Sequence, residues 1–175
     1  MNYTKVSDLI DPVHNSWSEE VILFLFTEEQ AMQVMCLAKV AVKWSPPQRD
    51  VIKINFDASF DSLLKTSVSG VVARNNEDLL MAIGTTPHRY VANLEMAEAL
   101  ACEDTLILAV ELGFNKIILE GDALTIINRA KARTDYRSLS QGIFQNIFSL
   151  TASFTDLQFT HVYRSGNCPA HLLAK

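Results

Sequence analysis

The spacing of apolar and polar residues changes several times along the chain, and each change marks an element. From Val51, Ile52, Ile54 and Phe56 alternate with Lys53, Asn55 and Asp57, the period of a strand with one apolar face and Asp57 on the other. Two further strands are expected at 68–74 and 79–84, joined by Asn75-Asn76-Glu77-Asp78, whose Asn and Asp residues favour a tight turn. Asn93 then caps a helix running to about Leu112, with Gly113 as its stop. A short apolar strand at 116–120 precedes a helix opening at Asp122. A third helix is predicted from the capping box formed by Ser138 and Gln141, with Leu139, Ile143, Ile147 and Leu150 on one stripe. The last strand, 157–164, leads to a final helix of at most about two turns beginning near Pro169.

Strands and helices in this order define an α/β domain. The helical crossover between the three-strand antiparallel meander and 116–120 requires parallel pairing there, so the sheet is mixed. The character of the chain changes near Trp44. Before it, Ser16 with Glu19 and Thr27 with Gln30 read as capping boxes of short helices. After it, Ser45-Pro46-Pro47-Gln48-Arg49-Asp50 cannot continue a helix. Residues 1–43 are therefore expected to form a helical N-terminal extension and 44–175 the main domain.

Composition narrows the function classes. At 175 residues and 49% hydrophobic, the chain can build one sizeable core. A formal charge of −5 has the wrong sign for gripping nucleic acid by bulk electrostatics, so any such binding must be local or bridged by metal. Cys36, Cys102 and Cys168 are an odd number with no CxxC spacing, so neither a disulfide framework nor a zinc site is indicated, and a reducing compartment is expected. The apolar stretches 21–26 and 34–42 are too short to span a bilayer, and the N-terminus lacks a secretory pattern. An intracellular protein, nuclear or cytoplasmic and not secreted, is expected.

Three carboxylates stand out. On a helix, Glu103, Asp104 and Glu111 share one solvated arc, whereas Glu98 lies roughly 120–140° away beside Ala101, Leu108 and Leu112. An acid on an apolar stripe is costly unless something compensates it, and Glu95, one turn earlier, competes for that role. Asp57 could instead begin a turn, and Asp122 could be a helix cap. Phe144, Phe148 and Phe154 read as core, His161 as sheet packing, and Arg129, Lys131 and Arg133 as a solvated helix face. Trp17 and Trp44 are expected to anchor the extension.

Taken in order, WSPPQRDVIKINFDAS, SGVVARN, MAEALA, ILEGDALTII and HVYRSGNCPAHLLAK resemble the type-1 ribonuclease H domain in its plant, reverse-transcriptase-associated form, over about 44–175. The leading VSDLIDPVHNSWSEE is similar to a stretch of plant non-LTR retroelement polymerases, which implies a retroelement fragment joined to the domain. The resemblance implies a ribonuclease H-like, five-stranded mixed sheet flanked by helices. It also implies cleavage of the RNA strand of RNA–DNA hybrids by two Mg²⁺ (or Mn²⁺) ions, with Asp57, Glu98 and Asp122 as metal ligands. Glu98 is favoured over Glu95 because it occupies the family's Glu-x-x-Ala position. Mg²⁺ takes oxygen ligands and keeps several waters, so a few convergent carboxylates suffice.

His171 is the fourth site position, where the family commonly carries Asp. A neutral imidazole adds no negative charge and suits softer ions than Mg²⁺. Ala58 stands where the family has Gly, and Arg164, beside Ser165 and Gly166, is a candidate phosphate contact. The alternative reading is a catalytically impaired, retroelement-derived module that binds nucleic acid or another partner. A generic α/β protein whose acids only cap and turn would instead hold the three carboxylates far apart.

Overall fold

The computed structural model describes residues 44–133 and 139–175, together with the backbone of Ile10–Asp11 and Ser16–Trp17. The last two segments pair antiparallel, with Ile10 opposite Trp17. The helices expected after Ser16 and Thr27, along with Cys36 and Ser138, lie outside the described residues.

The meander consists of β1 (Ile52–Asp61), β2 (Thr66–Arg74) and β3 (Leu80–Arg89). It is followed by α1 (Leu94–Glu111), β4 (Lys116–Gly121), α2 (Leu124–Ala132), α3 (Gln141–Leu150), β5 (Asp156–His161) and α4 (Cys168–Ala174). The strands form one mixed sheet in the order β3-β2-β1-β4-β5. The meander is antiparallel, and β1 with β4 and β4 with β5 are parallel, as the crossover argument requires. No helix among the described residues is long and apolar enough to cross a membrane.

Several element ends differ from expectation, each for a local reason. β1 continues four residues past Asp57, and the turn belongs to Asp61, whose Oδ1 accepts from the backbone of Leu63 and Leu64 at 2.8 and 2.9 Å. β3 continues past Gly84 through Pro87, which an edge strand tolerates because its outer N–H has no ladder partner to lose. β5 stops at His161, and Arg164–Gly166 form a 3₁₀ turn. α3 starts at Gln141 and leaves Leu139 exposed, while Phe144 and Ile147 carry the buried contact. Asn93 caps α1 as expected, its Oδ1 accepting from Met96 N at 2.9 Å.

Both faces of β1 are covered. Ile54, Phe56 and Ala58 enter an apolar core with Ala97, Ala101 and Leu106 of α1 and with Ile126, Ile127, Phe144 and Ile147. Lys53, Asn55 and Asp57 are buried on the opposite face. There Lys53 pairs with Glu120 at 2.9 Å, Asn55 donates to Glu120 and Asn167, and Arg74 donates to Asn55 Oδ1 at 3.2 Å. The Trp44 ring lies over the Arg74 guanidinium at 3.9 Å, so this tryptophan is anchored by a cation on the sheet.

α4 packs against β1 and β2 on this polar side. A Cβ on Gly70 would collide with the Ala170 carbonyl oxygen and lie 2.6 Å from Ala174 N, so only glycine admits the helix at this depth. Gly70 is the cross-strand neighbour of Asp57. The close approach therefore sets α4, and His171 with it, directly over Asp57.

Candidate metal centre

The parallel register of β1 and β4 places Phe56 opposite Gly121, so the next residues, Asp57 and Asp122, stand side by side. Glu98 joins them from the second turn of α1. One oxygen from each of the three carboxylates lies within 4.8 Å of the others. This excludes the reading in which the acids serve separate caps and turns. Asp57 is mid-strand, and α2 has Ala123 at its cap position with no side-chain cap, so Asp122 is not an N-cap either. Glu95 is occupied elsewhere, its Oε1 accepting from Arg129 at 3.1 Å and Ser140 at 3.2 Å.

His171 is part of the cluster, its Nδ1 lying 2.6 Å from Asp57 Oδ2. Arg164 was expected to meet phosphate; here it spans two site residues. Its Nη1 is 3.3 Å from Asp122 Oδ2, and its Nη2 is 2.7 Å from His171 Nδ1 and 3.1 Å from Nε2. Asn167, fully buried, donates to the Phe56 carbonyl at 2.7 Å and to Asp122 Oδ1 at 3.5 Å. His161 stays outside the cluster and meets the Tyr163 ring edge-on, a packing role.

The electrostatics are unfavourable for the acids alone. Burial, then the charge of Asp122, raises the Asp57 pKa to about 7. Burial, then the charges of Asp57 and Asp122, raises that of Glu98 to about 8. The His171 imidazole is pushed below its ordinary value by burial first, then by Arg164 and Lys175, which favours its neutral form. Asp57 Oδ1 and Glu98 Oε2 are buried and reached by no hydrogen-bond donor. Such oxygens are costly to bury unless a cation meets them. The donor set, all carboxylate oxygen, suits a hard divalent ion.

Arg129 corrects the reading of a solvated basic face. It is buried, lies 3.9 Å above the Phe144 ring and pairs with Glu95. Sequence reasoning missed Asn55 and Asn167. The available signal was the Lys53-Asn55-Asp57 face itself, since helices on both sides of a sheet bury even its polar positions.

The model of the reverse transcriptase-like family matches residues 55–175, more than half of the chain. The chain belongs to the reverse transcriptase-like family. No curated protein sequence matches this reverse transcriptase-like chain at a significant level. Among solved structures, it is similar to ribonuclease H1 of the archaeon Halobacterium salinarum, with 24% identity and a TM-score of 0.66 over 71% of this chain and 94% of the other. The N-terminal ribonuclease H domain of a Mycobacterium tuberculosis protein gives 19% identity and 0.64 over 71% and 90%. A foamy viral protease–reverse transcriptase solved with RNA/DNA hybrid gives 16% identity and 0.57 over 77% of this chain and 21% of that one. These likenesses establish the fold, that of ribonuclease H.

Proposed function

We propose that the chain is a metal-dependent endonuclease cutting the RNA strand of RNA–DNA hybrids, with Asp57, Glu98 and Asp122 holding Mg²⁺ or Mn²⁺. The observation that carries this reading is the meeting of three carboxylates from three separate elements, with buried oxygens on Asp57 and Glu98 left without donors. Two of the similar structures, a compost-derived ribonuclease H1 and the foamy viral enzyme, were solved with RNA/DNA hybrid, which supports the substrate class. A bound divalent ion supplies Lewis acidity toward the phosphodiester and lowers the pKa of its water.

The remaining work falls to the chain. Asp57 and Glu98 must give up their protons to become ligands, so metal uptake releases protons and strengthens as pH rises through 7 and 8. With Asp57 ionised, the His171 tautomer that donates from Nδ1 satisfies Asp57, while the Arg164 guanidinium lies against the ring, 2.7 Å from Nδ1 and 3.1 Å from Nε2. His171 thus holds a proton against Asp57 and fixes the carboxylate's orientation. Asn167 does the same for Asp122. In an acidic protein the Arg164 guanidinium supplies positive charge where a phosphate would approach. The family match and the foamy viral likeness support a retroelement origin, in its plant form on the sequence motifs, with residues 1–43 as a separate extension.

A second reading, a module that binds nucleic acid without cutting it, is favoured by one observation: His171 and Arg164 already engage one oxygen each of Asp57 and Asp122. Cleavage of an end-labelled RNA–DNA hybrid across an Mg²⁺ and Mn²⁺ titration separates the two. The enzyme reading expects metal-dependent cutting that Asp57→Asn reduces by at least about a hundredfold, beyond what loss of an outer-shell partner does. Binding of hybrid with no cutting at any metal concentration establishes the module.

A further inference from the structure

Building on the metal-dependent reading, we infer that the site takes one divalent ion, and that Arg164, seated on His171, stands in the place of a second cation. The carboxylate oxygens divide into two groups. Asp57 Oδ1 and Glu98 Oε2 have no donor, and both residues are more than nine-tenths buried. Asp57 Oδ2 and Asp122 Oδ2 are taken, the first by His171 at 2.6 Å and the second by Arg164 at 3.3 Å. Two buried oxygens thus lack any donor and Asp122 Oδ1 has only Asn167 at 3.5 Å, whereas the two Oδ2 atoms are already committed.

Charge balance agrees with this division. One divalent ion and one guanidinium together carry the charge that balances three carboxylates. In the absence of nucleic acid, two divalent ions beside Arg164 would leave excess positive charge at close range, which a fourth carboxylate or the departure of Arg164 would relieve.

The guanidinium is also placed by the fold. Its residue opens the 3₁₀ turn Arg164–Gly166, which is closed by Gly166 N to Tyr163 O at 2.8 Å and Asn167 N to Arg164 O at 3.1 Å. The turn ends at the buried Asn167, itself bonded to the β1 backbone. His171 is fixed from the other side by the contact of α4 with Gly70. Although the Arg164 side chain is more than half exposed, both its partners lie largely buried at the rim of the cluster.

The test is calorimetric titration of Mn²⁺ into the full chain without nucleic acid, with electron paramagnetic resonance of the loaded protein as the second readout. Wild type should take up one ion and show an isolated Mn²⁺ spectrum. The Arg164→Ala/His171→Asp double variant, which frees both Oδ2 atoms and adds a carboxylate, should take up two and show spin coupling. Arg164→Ala alone changes no residue of α4, so it serves if the double variant does not fold. It should bind the first ion about threefold more tightly, the scale of a partly exposed charge pair. Two ions in wild type, one in a folded double variant, or unchanged affinity in Arg164→Ala overturns the inference and leaves the metal-dependent reading standing. No uptake by wild type removes both.

Discussion

Two groups of charged side chains lie on the same face of β1, two residues apart, and they are built on opposite rules. Around Lys53 and Asn55 every charge has a counterpart, although the buried Arg74 Nε lacks an acceptor: Lys53 has Glu120, Arg74 has Asp78, and Asn55 joins the two by donating to Glu120 and accepting from Arg74. Around Asp57 the nearest charged neighbours include two more acids, and two buried oxygens have no donor at all. Both groups are buried, so burial alone does not distinguish structure from function. The closed network holds strands and α4 in place, and the open cluster keeps unspent affinity for a cation.

The sharpest way to break this contrast is to open the closed network. Glu120→Ala leaves Lys53 buried without its counter-charge and should cost about 3–5 kcal/mol in urea unfolding. A cost within the range of an ordinary surface change would mean the network is not closed as described. Next in size is Gly70→Ala. Its new methyl meets the backbone of α4, and forcing it in should cost about 1–3 kcal/mol while displacing His171 from Asp57. Imidazole chemical shifts of His171 should move with the stability loss, and an unchanged resonance would show that the helix is not held by this contact.

The smallest effect is a slope. Asp57 and Glu98 have folded pKa values of about 7 and 8, raised from 3.8 and 4.5. The unfolded chain therefore deprotonates first, and metal-free stability falls as pH rises from about 4 to about 8 and then levels. His171, with a folded pKa below 6.5, acts in the opposite direction only below pH 6.5. Between pH 6.5 and 8 the slope of Tm belongs to the acids, and Glu98→Gln should flatten it. A slope unchanged by Glu98→Gln would mean that Glu98 is ionised in the folded metal-free protein.

Much of this was legible in the sequence because local rules and the final packing agree. The period-two run at 52–57 set the face of Asp57, Asn93 announced its helix, and the helical angle of Glu98 separated it from the solvated acids. What escaped reading depends on packing between distant segments. Arg129 looks like a solvated charge within its own helix, and only the arrival of α3 with Ser140 and Phe144 buries it. The Gly121-Asp122 pair reads locally as a helix cap, yet α2 begins two residues later, because the register of β4 beside β1 commits Asp122 to the cluster. Arg164 is 42 residues from Asp122, and no local pattern announces that pairing.

Gly70 leaves no side chain between the last helix and the sheet, so peptide groups rest on peptide groups with nothing soft to absorb a displacement. Whatever shifts that helix shifts the imidazole by the same amount, and the separation between ring and aspartate behaves as a fixed gauge. Tolerance to sequence drift should accordingly be low along this seam and ordinary on the rest of the helix.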